Sequence, residues 1–439
     1  MRLVGILLII LSLPALVGFL RSRPESWRYA AFGVGFLPFA ITFFNLDAAV
    51  INWNMWPGHT KGLILTLLDT LALAILISKR TSIGFPPFVV LFVLYLLAAG
   101  LSIVFSEVPM SSAFYALQTL RALILFLAVV VLAKRAETRN WLCFGLAGGA
   151  IFQVGFSISQ KFAGAVQASG TMGHQNLLGM MLHFVTIPLV AMILAGDRRA
   201  LVLAGALAGL LAAALTASRG TIAFLGLGIV MLVCLSLIRK ATKVKWQALG
   251  FGLVTAAIVV PLMLSGLANR TAAERISADE ERAAFEEAAI AMWKDHPMGV
   301  GANRYVVTAN VDGYSQKAGV IPVSGSRSAH VHNIYLLHGA EMGWFGLLSF
   351  VALIGSGVIK GILFAMRARG DPSGDLVLGS AVALIVMAIH GLFEWIIVLG
   401  GPQYLIAISL GIISSSFDNK ISVVRKISTP DPIIGKVMR

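Results

Sequence analysis

The sequence predicts an all-α integral membrane protein of about twelve transmembrane helices, with one large segment outside the bilayer. Three observations predict it. Of 439 residues, 58% are hydrophobic and only 12% charged, with a mean hydropathy of +0.87, whereas soluble domains carry about a quarter charged residues. Apolar stretches recur along the chain, many of them close to the ~20 residues that a helix needs to cross a bilayer. Basic residues fall in alternate connections, as the positive-inside rule requires of a multi-pass protein.

The apolar stretches lie near 3–20, 29–44, 62–78, 86–105, 113–133, 141–162, 177–195, 199–217, 220–238, 248–267, 334–358, 376–399 and 403–416. Alternate connections hold Arg21, Arg23 and Arg28; Lys79 and Arg80; Lys134, Arg135 and Arg139; Arg198 and Arg199; Arg239, Lys240, Lys243 and Lys245; and Lys360, Arg367 and Arg369. With five more after Phe417 these make 22 of the 34 Lys and Arg, and they mark the cytoplasmic side. The intervening connections 45–61, 106–112, 163–176, 218–219 and 399–402 hold only Lys61 and Arg219, and are external. Topology therefore accounts for most of the net charge of +14 without a nucleic-acid partner. Thirteen full crossings would put Arg2 outside, so the first run, which contains Pro14, is expected to be a re-entrant or half-crossing element.

The chain divides into membrane helices over 1–267, an external segment over 268–332, membrane helices over 333–416 and a cytoplasmic tail over 417–439. The external segment opens with an Ala-, Glu- and Arg-rich stretch, Thr271 to Lys294. Its residues Ile276, Phe285, Ala289 and Trp293 give one apolar face of a helix. Pro297, Gly299 and Gly301 end that helix in a turn. GVGANRY at 299–305 is only a GxG without a preceding strand, so it is read as a turn rather than a nucleotide loop. The adjacent Asp279, Glu280 and Glu281 diverge on a helix and form a solvated face. No Asp-x-Asp stands in a polar loop to hold a divalent metal. Cys143 and Cys234 lie in apolar runs without CxxC spacing, so neither a disulfide framework nor a thiolate metal site is expected.

Polar motifs scattered in sequence fall at external helix ends. GHQNLLG at 173–179, with His174 and Asn176, opens the seventh run, and SRG at 218–220 joins the eighth and ninth. Arg282 sits in the external helix, and HVHN at 330–333, with His330, His332 and Asn333, leads into the eleventh run. Arg219 at a membrane boundary and Arg282 make a fork suited to phosphate or diphosphate, because guanidinium binds such groups bidentately and stays charged. Lipid-headgroup snorkelling is the bland alternative for Arg219, and Ser218 is placed to cap the following helix. His332, at a helix N-terminus, is expected to stay neutral as a general base must. His330, His296 and His174 compete for that role. Inside apolar runs lie Arg121, which an external anion could reach, His183, and His390 with Glu394, an i,i+4 pair able to satisfy itself.

The pattern resembles the O-antigen ligase and Wzy-type polymerase superfamily of bacterial envelope enzymes. The matching pieces are GTMGHQNLLG at 170–179, TASRGTIAFLGLG at 216–228, Arg282 followed fifteen residues later by Pro297 in KDHPMGVG at 294–301, and HNIYLLHGAEMGWFG at 332–346. The resemblance implies a GT-C-like glycosyltransferase of the bacterial inner membrane whose active site faces the periplasm, with no cofactor. Its donor would be a glycan on undecaprenyl diphosphate and its acceptor a lipid A-core sugar, as in an O-antigen ligase. Polymerisation of lipid-linked repeats or protein O-oligosaccharyl transfer is the near alternative, and transport of a lipid-linked anion a distant one. By that resemblance Arg219 and Arg282 bind the donor diphosphate and His332 activates the acceptor hydroxyl. Arg121 joins the donor set from its place in an apolar run. His330, Asn333, Asn176, His174 and Ser218 are supporting candidates.

Overall fold

The computed structural model describes the backbone of residues 2–79, 84–250, 272–371 and 373–428, and their side chains except those of residues 2, 272–279 and 418–428. The run expected at 248–267 beyond residue 250, the boundary at 267–268, the Ile276 side chain and the basic side chains of the C-terminal tail lie outside the described residues.

Among the described residues, seven helices are long and apolar enough to cross a membrane, and three further apolar helices are shorter. The first of the seven is α1 (Arg2–Ser22), which runs unbroken through Pro14. Its length suffices for a full crossing instead of the half-crossing expected, because proline in an apolar helix costs one backbone donor that neighbouring groups can replace. Next come α2 (Ser26–Phe36), α3 (Leu67–Ser78), α4 (Val89–Leu101), α5 (Pro109–Ala133) and α6 (Ala136–Phe162). They are followed by α7 (Gln175–Leu194), α8 (Ala200–Leu215) and α9 (Arg219–Arg239). The amphipathic helix α10 (Ala272–Asp295), α11 (Ile334–Arg367), α12 (Ser373–His390) and α13 (Gly400–Ser428) complete the set. The connection read as a loop over 45–61 contains a strand: β1 (Asp47–Asn52) pairs antiparallel with β2 (Gly62–Thr66).

Of the seven, helices α7 and α12 are the most buried, and they pack on each other. Helix α6 lies against α2 and α8, α13 against α5, α9 against α7 and α12, and α11 against α12 and α10. With no hydrophobic drive between helices in lipid, close backbone approach supplies the packing. At the α2–α6 crossing a Cβ on Gly35 would stand 2.3 Å from the Leu142 carbonyl oxygen, and one on Gly145 would stand 2.1 Å from that of Phe32.

Two departures from the expected runs shape the site. The run over 376–399 is helical only to His390, where the Gly391 carbonyl turns away to accept from the Ile334 amide at 2.8 Å. Helix α11 breaks at Gly343 (φ 65°). The freed carbonyls of Ala340 and Glu341 accept from the amides of Val300 and Gly301 at 3.0 and 2.9 Å, and the Trp344 amide donates to Pro297 at 3.2 Å. The turn expected at Pro297–Gly301 is therefore inserted into the break, with Gly299 and Gly301 at positive φ.

Candidate active site

Four helix ends meet on one face: the N-termini of α7, α9 and α11 and the C-terminus of α12. Each start is capped by its own sequence. The His174 Nδ1 accepts from the Asn176 amide at 3.2 Å, and the Ser218 Oγ from that of Thr221 at 3.4 Å. The Asn333 Oδ1 accepts from Tyr335 and Leu336 at 3.1 and 3.3 Å. His174, Ser218 and Asn333 thus spend their side chains on otherwise orphaned helix-start donors.

With Asn333 fixed as the cap, His332 is held just outside α11. Its Nδ1 is buried and lies 3.6 Å from Glu394 Oε2, within ion-pair reach yet longer than a hydrogen bond. The side chain as a whole stays 31% exposed, so the ring is accessible from outside. The other oxygen of Glu394 accepts from Asn176 Nδ2 at 2.5 Å. Glu394 does not pair with His390. The helix ends between them, which destroys the i,i+4 geometry, and His390 Nδ1 instead lies 3.1 Å from His183 Nε2.

Arg219 is the first residue of α9 and half-buried. The next residue, Gly220, faces His390 so closely that a Cβ there would stand 3.2 Å from His390 Nε2. That contact puts the start of α9 beside the chain that leads into Glu394. Arg282 is exposed on α10, one turn before Phe285, whose ring centroid is 6.2 Å from that of His332. Among the described residues Arg282 makes no ion pair. The apolar face expected for α10 is present: Phe285 and Ala289 are buried.

Arg121 stands apart from this group. Its Nε donates to Asp69 Oδ2 at 2.8 Å, and its Nη2 donates to the Tyr404 hydroxyl. Asp69 also accepts from the Thr66 amide in the cap of α3. A guanidinium already matched by a carboxylate is poorly placed to take up a second anion.

Sequence reasoning missed His59. Its Nε2 lies 3.2 Å from Glu341 Oε2, and both side chains are essentially sealed. Glu341 also accepts from the amides of Asn303 and Tyr305 at 2.8 and 2.9 Å. The available signal was Glu341 itself, a lone acid within an apolar run, which demands a buried partner. Beside this pair His330 stacks on Trp395, with centroids 4.1 Å apart and planes 19° apart, and 5.7 Å from the His59 ring. Burial, then the neighbouring His59, pushes the His330 pKa down to about 3. At the outer edge Arg304 donates to Glu107 at 2.7 Å, and that hydrogen bond and charge hold the Glu107 carboxyl below its usual range.

Chemically, the face offers an accessible imidazole backed by a carboxylate, with arginines on two neighbouring helices. No group of three His, Cys, Asp or Glu among the described residues is placed to hold a metal.

The chain is thus a multi-pass helical membrane protein whose polar groups gather where helix ends meet. Residues 204–351, about a third of the chain, match the family model described as O-antigen ligase. This match bears out the resemblance to the O-antigen ligase and Wzy superfamily, a class of bacterial membrane glycosyltransferase-like enzymes acting on lipid-linked glycans. It spans α8, α9, α10 and the first half of α11, and includes Arg219, Arg282 and His332. No curated protein matches the chain.

Proposed function

We propose that this protein is an O-antigen ligase, moving a glycan from undecaprenyl diphosphate to a sugar hydroxyl of the lipid A-core at the periplasmic face of the inner membrane. The observation that carries the reading is the chain Asn176–Glu394–His332, which sets a carboxylate 3.6 Å from one accessible imidazole at the face where Arg219 starts α9. His332 takes the proton of the acceptor hydroxyl as that oxygen attacks the anomeric carbon. The bond from that carbon to the diphosphate oxygen breaks, and the diphosphate leaves with the electron pair. Arg219 and Arg282 stabilise the growing charge on the leaving group, a task that always-charged guanidinium performs without a metal. Glu394 supports the imidazolium that forms and holds the ring in register. Single displacement inverts the anomeric configuration.

Asn176 steadies the carboxylate, while His174, Ser218 and Asn333 set the helix starts that carry these groups. Arg121, paired with Asp69, supports the fold rather than the donor. His330 forms part of the wall behind His332.

A deletion strain tests the assignment. Unmodified core with accumulated lipid-linked polymer is expected; core bearing a single repeat would replace ligation by polymerisation, and loss of glycan from a protein alone would point to protein O-oligosaccharyl transfer. Transfer in vitro is expected to persist in excess chelator, and NMR of the new linkage should show inversion. Retention would rule out single displacement.

A further inference from the structure

At the opposite end of the bundle, the C-termini of α7 and α9, the end of α11 and the start of α12 surround a cavity of about 100 Å³. That is well above the ~15 Å³ that one water needs. Four cations line it, Arg239, Lys240, Lys245 and Arg369, against two carboxylates, Asp371 and Asp375. The surplus is two positive charges.

Two of the cations are committed. Arg239 pairs with Asp375 and donates its Nε to the Ala365 carbonyl at 3.0 Å. Lys245 Nζ donates to the carbonyls of Ser236 and Lys240 at 3.0 and 3.1 Å and lies 3.5 Å from Asp375. Both side chains are only 2% exposed, so they build a rigid, charged floor. Lys240 and Arg369 are exposed at the rim, and among the described residues neither forms an ion pair. Helix α12 spans 18 residues from this cavity to His390, about 27 Å at 1.5 Å per residue. That is close to the ~30 Å of a bilayer's hydrocarbon core, so the cavity sits at headgroup height in the leaflet away from the candidate active site.

We propose that this cavity binds the phosphate of an anionic phospholipid. A guanidinium and an ammonium at the rim, over a floor that keeps one positive charge after Asp375 is counted, suit a phosphate monoanion or diester. Basic pockets between transmembrane helices on the cytoplasmic side are where such headgroups lodge. Bound there, the headgroup would tie the connection after α9 to the α11–α12 turn, joining helix ends whose opposite termini carry Arg219, His332 and Glu394.

The test is native mass spectrometry of the full protein in detergent, with added phosphatidylglycerol or phosphatidylethanolamine, for wild type and the Lys240→Gln/Arg369→Gln double variant. Both positions are exposed, so folding should be unaffected, and an unchanged thermal unfolding midpoint without lipid checks this. Wild type should retain phosphatidylglycerol about thirtyfold better than the variant, at about fivefold for each basic residue. It should also prefer that lipid to the zwitterionic one. Equal retention of both lipids, or equal retention by variant and wild type, would overturn the proposal. Inorganic phosphate at millimolar concentration, added without lipid, should leave the unfolding midpoint unmoved. Stabilisation that the double variant abolishes would assign the cavity to free phosphate and remove the lipid.

Discussion

Two histidine–carboxylate pairs stand on this protein and differ in nearly everything but composition. His59 and Glu341 are sealed, with 0% and 2% of their side chains exposed. Both oxygens of Glu341 are engaged, by one imidazole and two backbone amides. His332 and Glu394 are looser, 3.6 Å apart, with the imidazole 31% exposed. A fully satisfied buried pair pins three chain segments, the 56–60 loop, the 299–305 turn and α11. The looser pair at the surface leaves its imidazole accessible from outside. What separates a clamp from a candidate base here is how much of each group's hydrogen bonding the fold has already consumed.

Substitutions should divide the two pairs cleanly. The largest effect is expected for His332→Ala, which should lower transfer in vitro by about 10²- to 10⁴-fold, the usual worth of a general base, while leaving the unfolding midpoint near that of wild type. Full activity would remove His332 from the site. Glu341→Ala should act in the opposite sense and cost about 3–5 kcal/mol of stability, because it strands a buried partner, with activity lost only as the protein unfolds. A stable Glu341→Ala protein with abolished transfer would reverse the roles assigned to the pairs. Glu394→Gln should cut kcat on the order of 10²-fold with little change in KM, and Glu394→Asp should recover part of it. A matching loss of stability would make Glu394 a second clamp. Arg219→Lys should reduce transfer by about tenfold, since a point charge cannot replace a bidentate fork; donor titration will show whether the loss lies in binding.

The smallest effect concerns pH. His330 is held neutral, with its pKa near 3 against about 6.5 in the unfolded chain. Between those values the unfolded chain binds the extra proton. The contribution to stability is therefore intact above about pH 6.5 and is lost as pH falls toward 3. Unfolding midpoints should drop between about pH 7 and about pH 4.5, and His330→Asn should flatten that drop. An identical slope in the variant would place the acid sensitivity elsewhere.

Much of this was legible in the sequence where physics acts locally. The Ala- and Glu-rich stretch gives α10, the Pro297–Gly301 turn follows from residues that break helices, and Ser218 and Asn333 announce helix starts by their capping chemistry. What could not be read joins distant positions. Asn176 and Glu394 are 218 residues apart and meet only because α7 and α12 pack together. The helix over 376–399 looks continuous by hydropathy, yet it stops at His390 because the Gly391 carbonyl finds a partner in Ile334. Likewise β1 is short, and its partner β2 lies within an apolar run that composition assigns to a helix. Arg121 read as an available cation because nothing along the chain reveals that Asp69 lies beside it.

The break in α11 at Gly343 has a consequence for engineering. The 297–301 turn and the opening it fills both lie within residues 204–351, but His59, Asn176 and Glu394 fall outside them, so the matched stretch is not a portable module. A chimera that borrowed it from a relative would import an imidazole without its carboxylate and a buried Glu341 without its histidine. Successful exchange would require α7, α12 and the 56–60 loop to travel with it as one set.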